Sequence, residues 1–408
     1  MVRLVSTPDT DPLLDHDRLQ VTTVRDFLAP RHVLHGDGAV GQLPGALSHW
    51  GVGQGTVEVV CDRFLFDSGV VGPLLDALRD AGWKPEVFAD IAGEPTLADA
   101  DALVAHARRS APALVVGVGG GSAMDLAKVA ALLVTNDGSV EDHIGVDLPE
   151  RPPVPFALLP TTTGTGAECT RIAMLSAGVG KRIVSNRHLV PLVAVLDVDL
   201  VMGLPPSVTA ATGMDALAHA TESFLSTSST LLTTTMSLRA IELLREWLPV
   251  AVEQPDNRSA RRATLYGAYL AGLALNAGVV LGHSMAYTVA NRAHLAHGVT
   301  CAMALPFCLG YNSSGEVEGM GTLAERLTGG GSRDLHVAAE QLLELNDRFA
   351  VPVSPAAAGI PDGEIEAMAR ECAEVYPRPT NPVPMTTERL TPLYEAWFRR
   401  DVAGSWAR

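Results

Sequence analysis

Short apolar runs alternate with segments of helical periodicity through the first half of the chain. The β-branched run VEVVC (57–61) precedes a segment whose apolar residues between 71 and 78 share one helical face. PEVFAD (85–90) precedes a second helical segment at 97–109, and the next apolar run, ALVVGVG, occupies 113–119. Strands that alternate with helices in this way predict a mainly parallel sheet, with ligands bound beyond the carboxyl ends of its strands.

The pattern changes near residue 203. Before it, residues 171–196 predict a β-hairpin, IAML then KRIV, followed by the strand LVAVLDVDL. After the two prolines of LPPSVTAATG (204–213), the chain carries helical periodicity with few strand signals. A chain of 408 residues is also long for one core. We therefore expect an α/β domain over residues 1–203 and an all-α domain over residues 204–408.

Composition narrows the class of protein. The formal net charge of −16 disfavours nucleic acids and anionic membranes as partners. Five cysteines without C-x-x-C spacing, and an N-terminus without the order of a signal peptide, favour a reducing cytoplasm. The uncharged stretch between Arg262 and Arg292 is long enough to span a bilayer. It carries polar residues such as Asn276, so we interpret it as buried in a helical domain.

A triple glycine is the first candidate binding element. The strand at 113–118 leads directly into Gly119, Gly120, Gly121 and Ser122, and a helix follows. Glycines allow a ligand to approach the backbone, and the unpaired N–H groups of a helix N-terminus favour a phosphate. The alternative is a tight turn without a ligand. Asp125 and Lys128 fall on the first turns of this helix, where either is compatible with an ordinary surface residue; we count Asp125 among the candidate cofactor contacts.

A threonine-rich turn follows the next apolar strand. In FALLPTTTGTGAE (156–168), Thr161, Thr162 and Thr165 have hydroxyls that can bind a cofactor or simply close the loop.

The second half of the chain carries a candidate metal site. Asp215 and His219 stand four residues apart in a helical segment, which places both on one face. His283 and His297 follow further along. One carboxylate and three imidazoles suit a borderline divalent ion such as Fe²⁺ or Zn²⁺. Spacing alone does not establish that the four side chains converge.

Taken together, these motifs resemble those of the iron-containing (group III) alcohol dehydrogenases, close in pattern to lactaldehyde reductases and butanol dehydrogenases. The resemblance begins near residue 25 and covers nearly all of the remaining chain. The motifs that carry it are GGGSAMDLAK (119–128), PTTTGTGAECT (160–170), GMDALAHATE (213–222), GHSMA (282–286) and HGVTCAMALP (297–306). The resemblance implies a dinucleotide-binding α/β domain and a helical metal-binding domain, as in the dehydroquinate synthase-like architecture, with the active site between them.

The resemblance also assigns roles residue by residue. It implies that Asp215, His219, His283 and His297 are the metal ligands. It implies that Gly119 to Ser122 bind the pyrophosphate, with Thr161, Thr162 and Lys181 as further cofactor contacts. Asp62 matches the acidic residue that binds the adenosine ribose, which favours NAD(H). Arg63 beside it can pair with a phosphate and keeps NADP(H) open.

Two positions depart from the family pattern or add to it. Many relatives have a histidine four residues after the third ligand, where this chain has Tyr287; a phenol can still relay a proton. His294 stands where histidine is frequent in the family. We take Tyr287 and His294 as candidate catalytic residues.

The implied function is a metal-dependent, NAD(P)-linked reductase of a small aldehyde, reversible as an alcohol dehydrogenase. Hydride would pass from C4 of the reduced nicotinamide to a carbonyl polarised by the divalent ion. The alternative is a lyase or cyclase like dehydroquinate synthase, which resembles this architecture but has a glutamate in place of Asp215. The family commonly forms dimers or larger assemblies, so we expect a homo-oligomer.

The substrate is open at this stage. An anionic aldehyde such as phosphonoacetaldehyde would suit the cations near the motifs, although we favour ion pairs or cofactor phosphates as the partners of most of them. These cations are Arg171, Lys181, Arg182 and Arg292.

Overall fold

The computed structural model describes residues 24–91, 93–177 and 180–406. The first 23 residues of the predicted α/β domain therefore lie outside the described part of the chain. Within it the strands are, in chain order, β1 (His32–His35), β2 (Thr56–Val60), β3 (Lys84–Phe88), β4 (Leu114–Gly119), β5 (Gly145–Val146), β6 (Phe156–Pro160), β7 (Ile172–Ser176), β8 (Lys181–Ser185) and β9 (Val193–Leu196).

Six of these strands form one parallel sheet in the order β1-β9-β6-β4-β2-β3. All six residues of β4 are buried, as expected for an apolar strand between two neighbours. The remaining strands form a small sheet, β5-β8-β7, in which β7 and β8 make the predicted antiparallel hairpin. The prediction of a mainly parallel sheet is confirmed.

Helices cover both faces of the parallel sheet. The helices of this part are α1 (Leu43–His49), α2 (Arg63–Asp67), α3 (Gly72–Asp80), α4 (Leu97–Ser110) and α5 (Gly121–Thr135). Alternate residues of β4 enter different cores, because side chains of a strand alternate between its faces. Val116 packs with Leu43 of α1 and Leu74 of α3 on one face, whereas Val115 packs with Leu103 of α4 and Leu126 of α5 on the other.

After β9 the described chain is helical. Its helices are α6 (Pro206–Leu225), α7 (Leu231–Glu253), α8 (Arg258–Ala274), α9 (Leu281–Ala293), α10 (His297–Asn312), α11 (Met320–Leu327), α12 (Leu335–Arg348), α13 (Ile365–Glu374) and α14 (Thr387–Phe398). Helix α6 is central and almost completely buried, and it packs against α7, α8 and α10. A helix buried on all sides needs small side chains where its neighbours approach, which its many alanines and Gly213 supply.

The long uncharged stretch is not one straight helix. No single described helix is both long and apolar enough to cross a bilayer. The segments Arg258–Ala277 and Leu281–Ala293 are long and apolar enough only when taken together, and the chain bends by 106° at the break between them.

Two residues differ from their expected setting. Asp125 and Lys128, compatible from the sequence with a surface position on α5, are buried, and Lys128 has no exposed surface. The hairpin covers this face of α5: Met174 N–H donates to Asp125 Oδ2 at 2.9 Å, and Lys128 Nζ donates to the Ile172 carbonyl at 2.7 Å. Burial raises the pKa of Asp125 and lowers that of Lys128, and the opposite charges 3.4 Å apart act against both shifts.

Candidate active site

The four predicted metal ligands converge in space. The Nε2 atoms of His219, His283 and His297 lie 3.7, 3.7 and 3.9 Å from one atom, Asp215 Oδ1. Asp215 and His219 stand one turn apart on α6, His283 lies in the first turn of α9, and His297 is the first residue of α10. We refer to these four residues as the His–Asp cluster.

The cluster fits a divalent ion. Ligand atoms held 2.0 to 2.2 Å from a common ion lie roughly 3.3 to 3.6 Å apart at the tetrahedral angle. The three separations from Asp215 Oδ1 are slightly wider than this range, so a small inward movement of the side chains would allow the four residues to hold such an ion. Asp215 Oδ1 and His283 Nε2 are buried, and neither has a hydrogen-bond partner within the described residues. Two such atoms facing one another are costly to bury unless a cation lies between them.

The protonation states of the cluster favour ligation. Burial lowers the pKa of His297 to about 4 and also lowers the pKa of His219. For Asp215, burial acts to raise the pKa, but the surrounding imidazoles prevail and the net shift is downward. At neutral pH Asp215 is therefore an ionised carboxylate and the imidazoles of His219 and His297 are neutral, which are the forms that bind metals.

Glu222 orients one of the imidazoles. Its Oε1 lies 2.7 Å from His283 Nδ1, while its Oε2 accepts the backbone N–H groups of Val280 at 2.9 Å and His283 at 3.2 Å. The carboxylate therefore holds a proton on Nδ1 and leaves the lone pair of Nε2 directed towards the cluster, where it is available to a metal ion. Glu222 lies in the motif GMDALAHATE but was not among the predicted site residues. The signal for it is its position two turns after Asp215, on the same helical face.

Cys301 is a second residue beside the cluster that was not among the predicted site residues. Its Sγ lies 3.5 Å from His297 Nε2, and it forms a compact group of metal-binding atoms with Asp215, His283 and His297, all within 4.8 Å of one another. This group omits His219, although His219 Nε2 is as close to Asp215 Oδ1 as His283 Nε2 is. Burial raises the pKa of the Cys301 thiol well above its usual range, and a protonated thiol is a weak ligand. We therefore prefer His219 as the fourth ligand.

A glycine allows His297 to reach the cluster. A Cβ atom placed on Gly298 would lie 2.3 Å from the Ala211 carbonyl oxygen and 3.4 Å from Asp215 Cβ. Helix α10 can therefore start against α6 only because residue 298 lacks a side chain. This contact places His297, the preceding residue, beside Asp215.

The glycine loop borders a cavity of about 560 Å³, which we call the loop cavity. Gly120 is the N-terminal cap of α5, and a Cβ on Gly121 would lie 2.9 Å from Thr165 Cγ2, so the loop packs tightly against the threonine turn. Gly119 joins the two turns, because its carbonyl accepts the Thr161 N–H at 2.9 Å. The predicted cofactor residues that line the loop cavity are Asp62, Gly120, Ser122, Thr161 and Thr162.

Asp62 and Arg63 have different partners at the rim of the loop cavity. Asp62 caps α2, since its Oδ1 accepts the Leu65 N–H at 2.8 Å. Arg63 donates to Asp90 Oδ1 at 2.6 Å. The cation that could have paired with a 2′-phosphate is therefore already bound to a carboxylate.

A second cavity, of about 250 Å³, contains the His–Asp cluster, and we call it the cluster cavity. It adjoins the loop cavity, because Ser122 lines both. Four further predicted cofactor residues line this cavity rather than the loop cavity: Gly121, Asp125, Thr165 and Lys181. The remaining one, Gly119, is not among the residues that line either cavity.

The two candidate catalytic residues lie at different depths. The Tyr287 ring is stacked on His297, with centroids 5.6 Å apart, and it lines the cluster cavity. Burial raises the pKa of Tyr287 to about 12, so its hydroxyl is protonated at neutral pH. His294 is exposed and ends α9. It lines a side cavity of about 400 Å³ that also borders Tyr287 and His297.

Most cations near the motifs have carboxylate partners. Arg171 pairs with Asp147, Lys181 with Glu94, and Arg292 with both Glu364 and Glu371. The preference for ion pairs is confirmed for these three residues. Arg182 is exposed on the hairpin.

A parallel-sheet domain beside a helical domain, with a glycine loop and a His–Asp cluster in adjoining cavities, is the arrangement of a metal- and nucleotide-dependent enzyme. Comparisons with known proteins agree. The family model described as iron-containing alcohol dehydrogenase matches residues 30–198, and the model of the C-terminal part of that family matches residues 209–398.

Individual relatives cover nearly the whole chain. Long-chain-alcohol dehydrogenase 1 of Geobacillus thermodenitrificans is 36% identical over 375 residues, which are 89% of this chain and 94% of that protein. NAD-dependent methanol dehydrogenase of Bacillus methanolicus is 31% identical over 376 residues, 90% of this chain and 98% of that protein. The crystal structure of sulfoacetaldehyde reductase from Bifidobacterium kashiwanohense in complex with NAD⁺ superposes with a TM-score of 0.83 at 27% identity, covering 92% of this chain and 99% of that one. The chain belongs to the iron-containing alcohol dehydrogenase family.

Proposed function

We propose that Asp215, His219, His283 and His297 hold the divalent ion of a metal-dependent, NAD-linked alcohol dehydrogenase that also reduces small aldehydes. The observation that carries the site assignment is the convergence of three Nε2 atoms on Asp215 Oδ1. When bound, the ion supplies Lewis acidity and the nicotinamide cofactor supplies or accepts the hydride. Membership of the family does not favour the dehydroquinate synthase-like alternative.

The chain's own residues bind and orient the reactants. The N–H groups at the start of α5, with Ser122, Thr161 and Thr162, suit the cofactor phosphates. Ser122 lies on both cavities, so a dinucleotide in the loop cavity can extend its reactive end towards the His–Asp cluster. We assign Tyr287 as a proton donor, because it is protonated and lines the cluster cavity. His294 borders the side cavity behind Tyr287, where it can exchange protons with solvent.

We propose iron as the ion and NAD(H) as the preferred cofactor. Iron follows from the family, whereas the donor set of three imidazoles and one carboxylate also accommodates Zn²⁺. The Asp62 carboxylate at the loop cavity would accept hydrogen bonds from a ribose and repel a 2′-phosphate. The pairing of Arg63 with Asp90 supports the same preference.

The site assignment is tested by His283→Ala, with the exposed His49→Ala as the matched control. We expect His283→Ala to lose most of its bound metal, measured by elemental analysis, and to lose NADH oxidation with a short aldehyde. His49→Ala should retain both. A fully active His283→Ala variant with a normal metal content would refute the assignment.

We also propose that the chain works in the cytoplasm as a homo-oligomer, such as a dimer, with its domains meeting between residues 203 and 204. All five cysteines are buried and free, which suits a reducing compartment. The two family models meet on either side of residues 199–208, and α6 begins at Pro206, which supports that division. Sedimentation equilibrium of the purified protein tests the oligomeric state.

A further inference from the structure

The charges around the cluster cavity are nearly all paired. Within the described residues that line it, Lys181 is bound to Glu94, Asp125 lies 3.4 Å from Lys128, and Asp215 belongs to the His–Asp cluster. The remaining charged residue of this lining is Arg378, which follows α13. No carboxylate oxygen in the described part of the chain lies within 4.0 Å of its guanidinium nitrogens.

Arg378 is held in place by its inner nitrogen. Its Nε donates to Ser284 Oγ at 3.1 Å, and Ser284 in turn donates to the Tyr376 carbonyl at 2.6 Å. Ser284 is fully buried and directly follows the ligand His283. The described hydrogen bonds of Arg378 use only Nε, so its two terminal nitrogens keep their donors for another partner.

The ring of Tyr287 lies between the Arg378 guanidinium and the His–Asp cluster. Arg378 Cζ lies 5.9 Å from the centroid of the Tyr287 ring, and that ring is stacked on His297. This contact orients the cation and leaves its charge at the wall of the cavity. A short molecule with its carbonyl at the His–Asp cluster can therefore reach Arg378 with its other end.

We propose that Arg378 selects aldehydes that carry an oxyanion group, such as a carboxylate, sulfonate or phosphonate, a short distance from the carbonyl. Two terminal N–H groups in a planar fork match two oxygens of such a group. The cavity of about 250 Å³ limits the substrate to a small molecule. The inference rests on the proposed aldehyde reductase activity and adds the substrate class to it.

The test uses aldehyde pairs that differ in the anion. Acetaldehyde is compared with sulfoacetaldehyde, and butanal with 4-oxobutanoate, using metal-loaded enzyme and NADH. We expect at least one anionic aldehyde to have a higher kcat/KM than its neutral partner. Arg378→Gln should lower kcat/KM for that aldehyde about 10- to 100-fold, mainly through KM, because one charge-assisted contact is lost. Its kcat/KM for the neutral partner should change less than about threefold.

Two further variants sharpen the test. Arg378→Lys keeps the charge but not the fork, so it should recover only part of the anion preference. Arg182→Gln removes an exposed cation of the hairpin that does not line the cluster cavity, and it should leave the preference unchanged. Metal content and melting temperature establish that each variant is folded.

The possible results distinguish a failure of the proposed substrate class from a failure of the proposed reductase activity. A wild-type preference for the neutral aldehydes, or an equal loss for both members of a pair in Arg378→Gln, would overturn the proposal while leaving the reductase function standing. A raised KM for NADH in Arg378→Gln would also overturn it, since Arg378 would then bind the cofactor. Failure of metal-loaded wild-type enzyme to reduce any aldehyde would overturn the proposed function itself.

Discussion

Replacing Glu222 by glutamine changes the hydrogen bonds that orient His283, a proposed metal ligand, without changing the size of the side chain at residue 222. The Glu222 carboxylate accepts three donors: His283 Nδ1, the Val280 N–H and the His283 N–H. Glutamine offers one oxygen and one NH₂ group, so it cannot accept all three. We therefore expect Glu222→Gln to weaken metal binding, although Glu222 is not itself a ligand.

Both orientations of the glutamine amide are unfavourable. If its NH₂ group faces His283 Nδ1, the imidazole must carry its proton on Nε2, which then cannot ligate. If the NH₂ group faces the backbone, two buried N–H donors lose their acceptor, at about 1 to 3 kcal/mol each. A neutral acceptor also polarises the imidazole less than a carboxylate does, which makes its Nε2 a weaker donor to a metal ion. Loss of such a supporting group typically costs about 10- to 100-fold in metal affinity, or about 1.4 to 2.8 kcal/mol.

Chelator competition with apo protein and Zn²⁺ measures this change directly. The control is Glu253→Gln, which removes the charge of a surface carboxylate paired with Arg348. Exposed pairs of this kind contribute little, so the control should bind Zn²⁺ as the wild type does. If Glu222→Gln matched the wild type in zinc affinity, the assigned role of Glu222 would be wrong.

Three other substitutions test the cofactor preference, the approach of α10 to α6 and the burial of a carboxyl group. Asp62→Ser keeps a capping hydroxyl for the Leu65 N–H but removes the negative charge. The ratio of kcat/KM with NADH to kcat/KM with NADPH should therefore fall roughly tenfold. An unchanged ratio would contradict the role of Asp62 in cofactor preference. Gly298→Ala places a methyl group 2.3 Å from the Ala211 carbonyl oxygen, so α10 must shift from α6 and metal affinity should fall; normal affinity would show that the close approach is unnecessary. Burial raises the pKa of Glu168 from 4.5 to about 7, so the folded wild type loses stability relative to the unfolded chain as pH rises from 4.5 to 7. Glu168→Gln should therefore melt near the wild type at pH 4.5 and at a higher temperature at pH 8, where the free energies of unfolding should differ by up to about 3 kcal/mol. A difference in melting temperature that does not depend on pH would refute this.

The parallel sheet and its helices could be predicted because their signals are local. The run before Gly119 is apolar throughout, as a strand with neighbours on both sides requires, and the residues after Gly121 are helix formers. The two short runs IAML and KRIV likewise predicted the hairpin, which β7 and β8 form. What the hairpin covers could not be inferred from local pattern. Asp125 and Lys128 are buried because β7 packs on α5, a contact between segments far apart in sequence.

In the candidate site, too, some features follow from local sequence pattern and others depend on contacts between distant segments. The ligand types could be predicted from the motifs, since the spacing of Asp215 and His219 is a helical one. Their convergence with His297 depends on the contact of α10 with α6 at Gly298, and no periodicity encodes that contact. Arg378 was missed for a related reason. It lies in a loop without a recognisable motif, and its place beside Tyr287 follows only from the packing of α9 and α13.

Titration of the apo protein with Fe²⁺ under anaerobic conditions, with NADH oxidation followed at each addition, tests the central claim most directly. We expect activity with a short aldehyde to be absent without metal, to rise linearly with added ion and to stop rising at about one ion per chain. His283→Ala should show no such rise in the same titration. Full activity of the metal-free wild-type protein, or an equal rise in the variant, would contradict the assignment of Asp215, His219, His283 and His297 as the metal site.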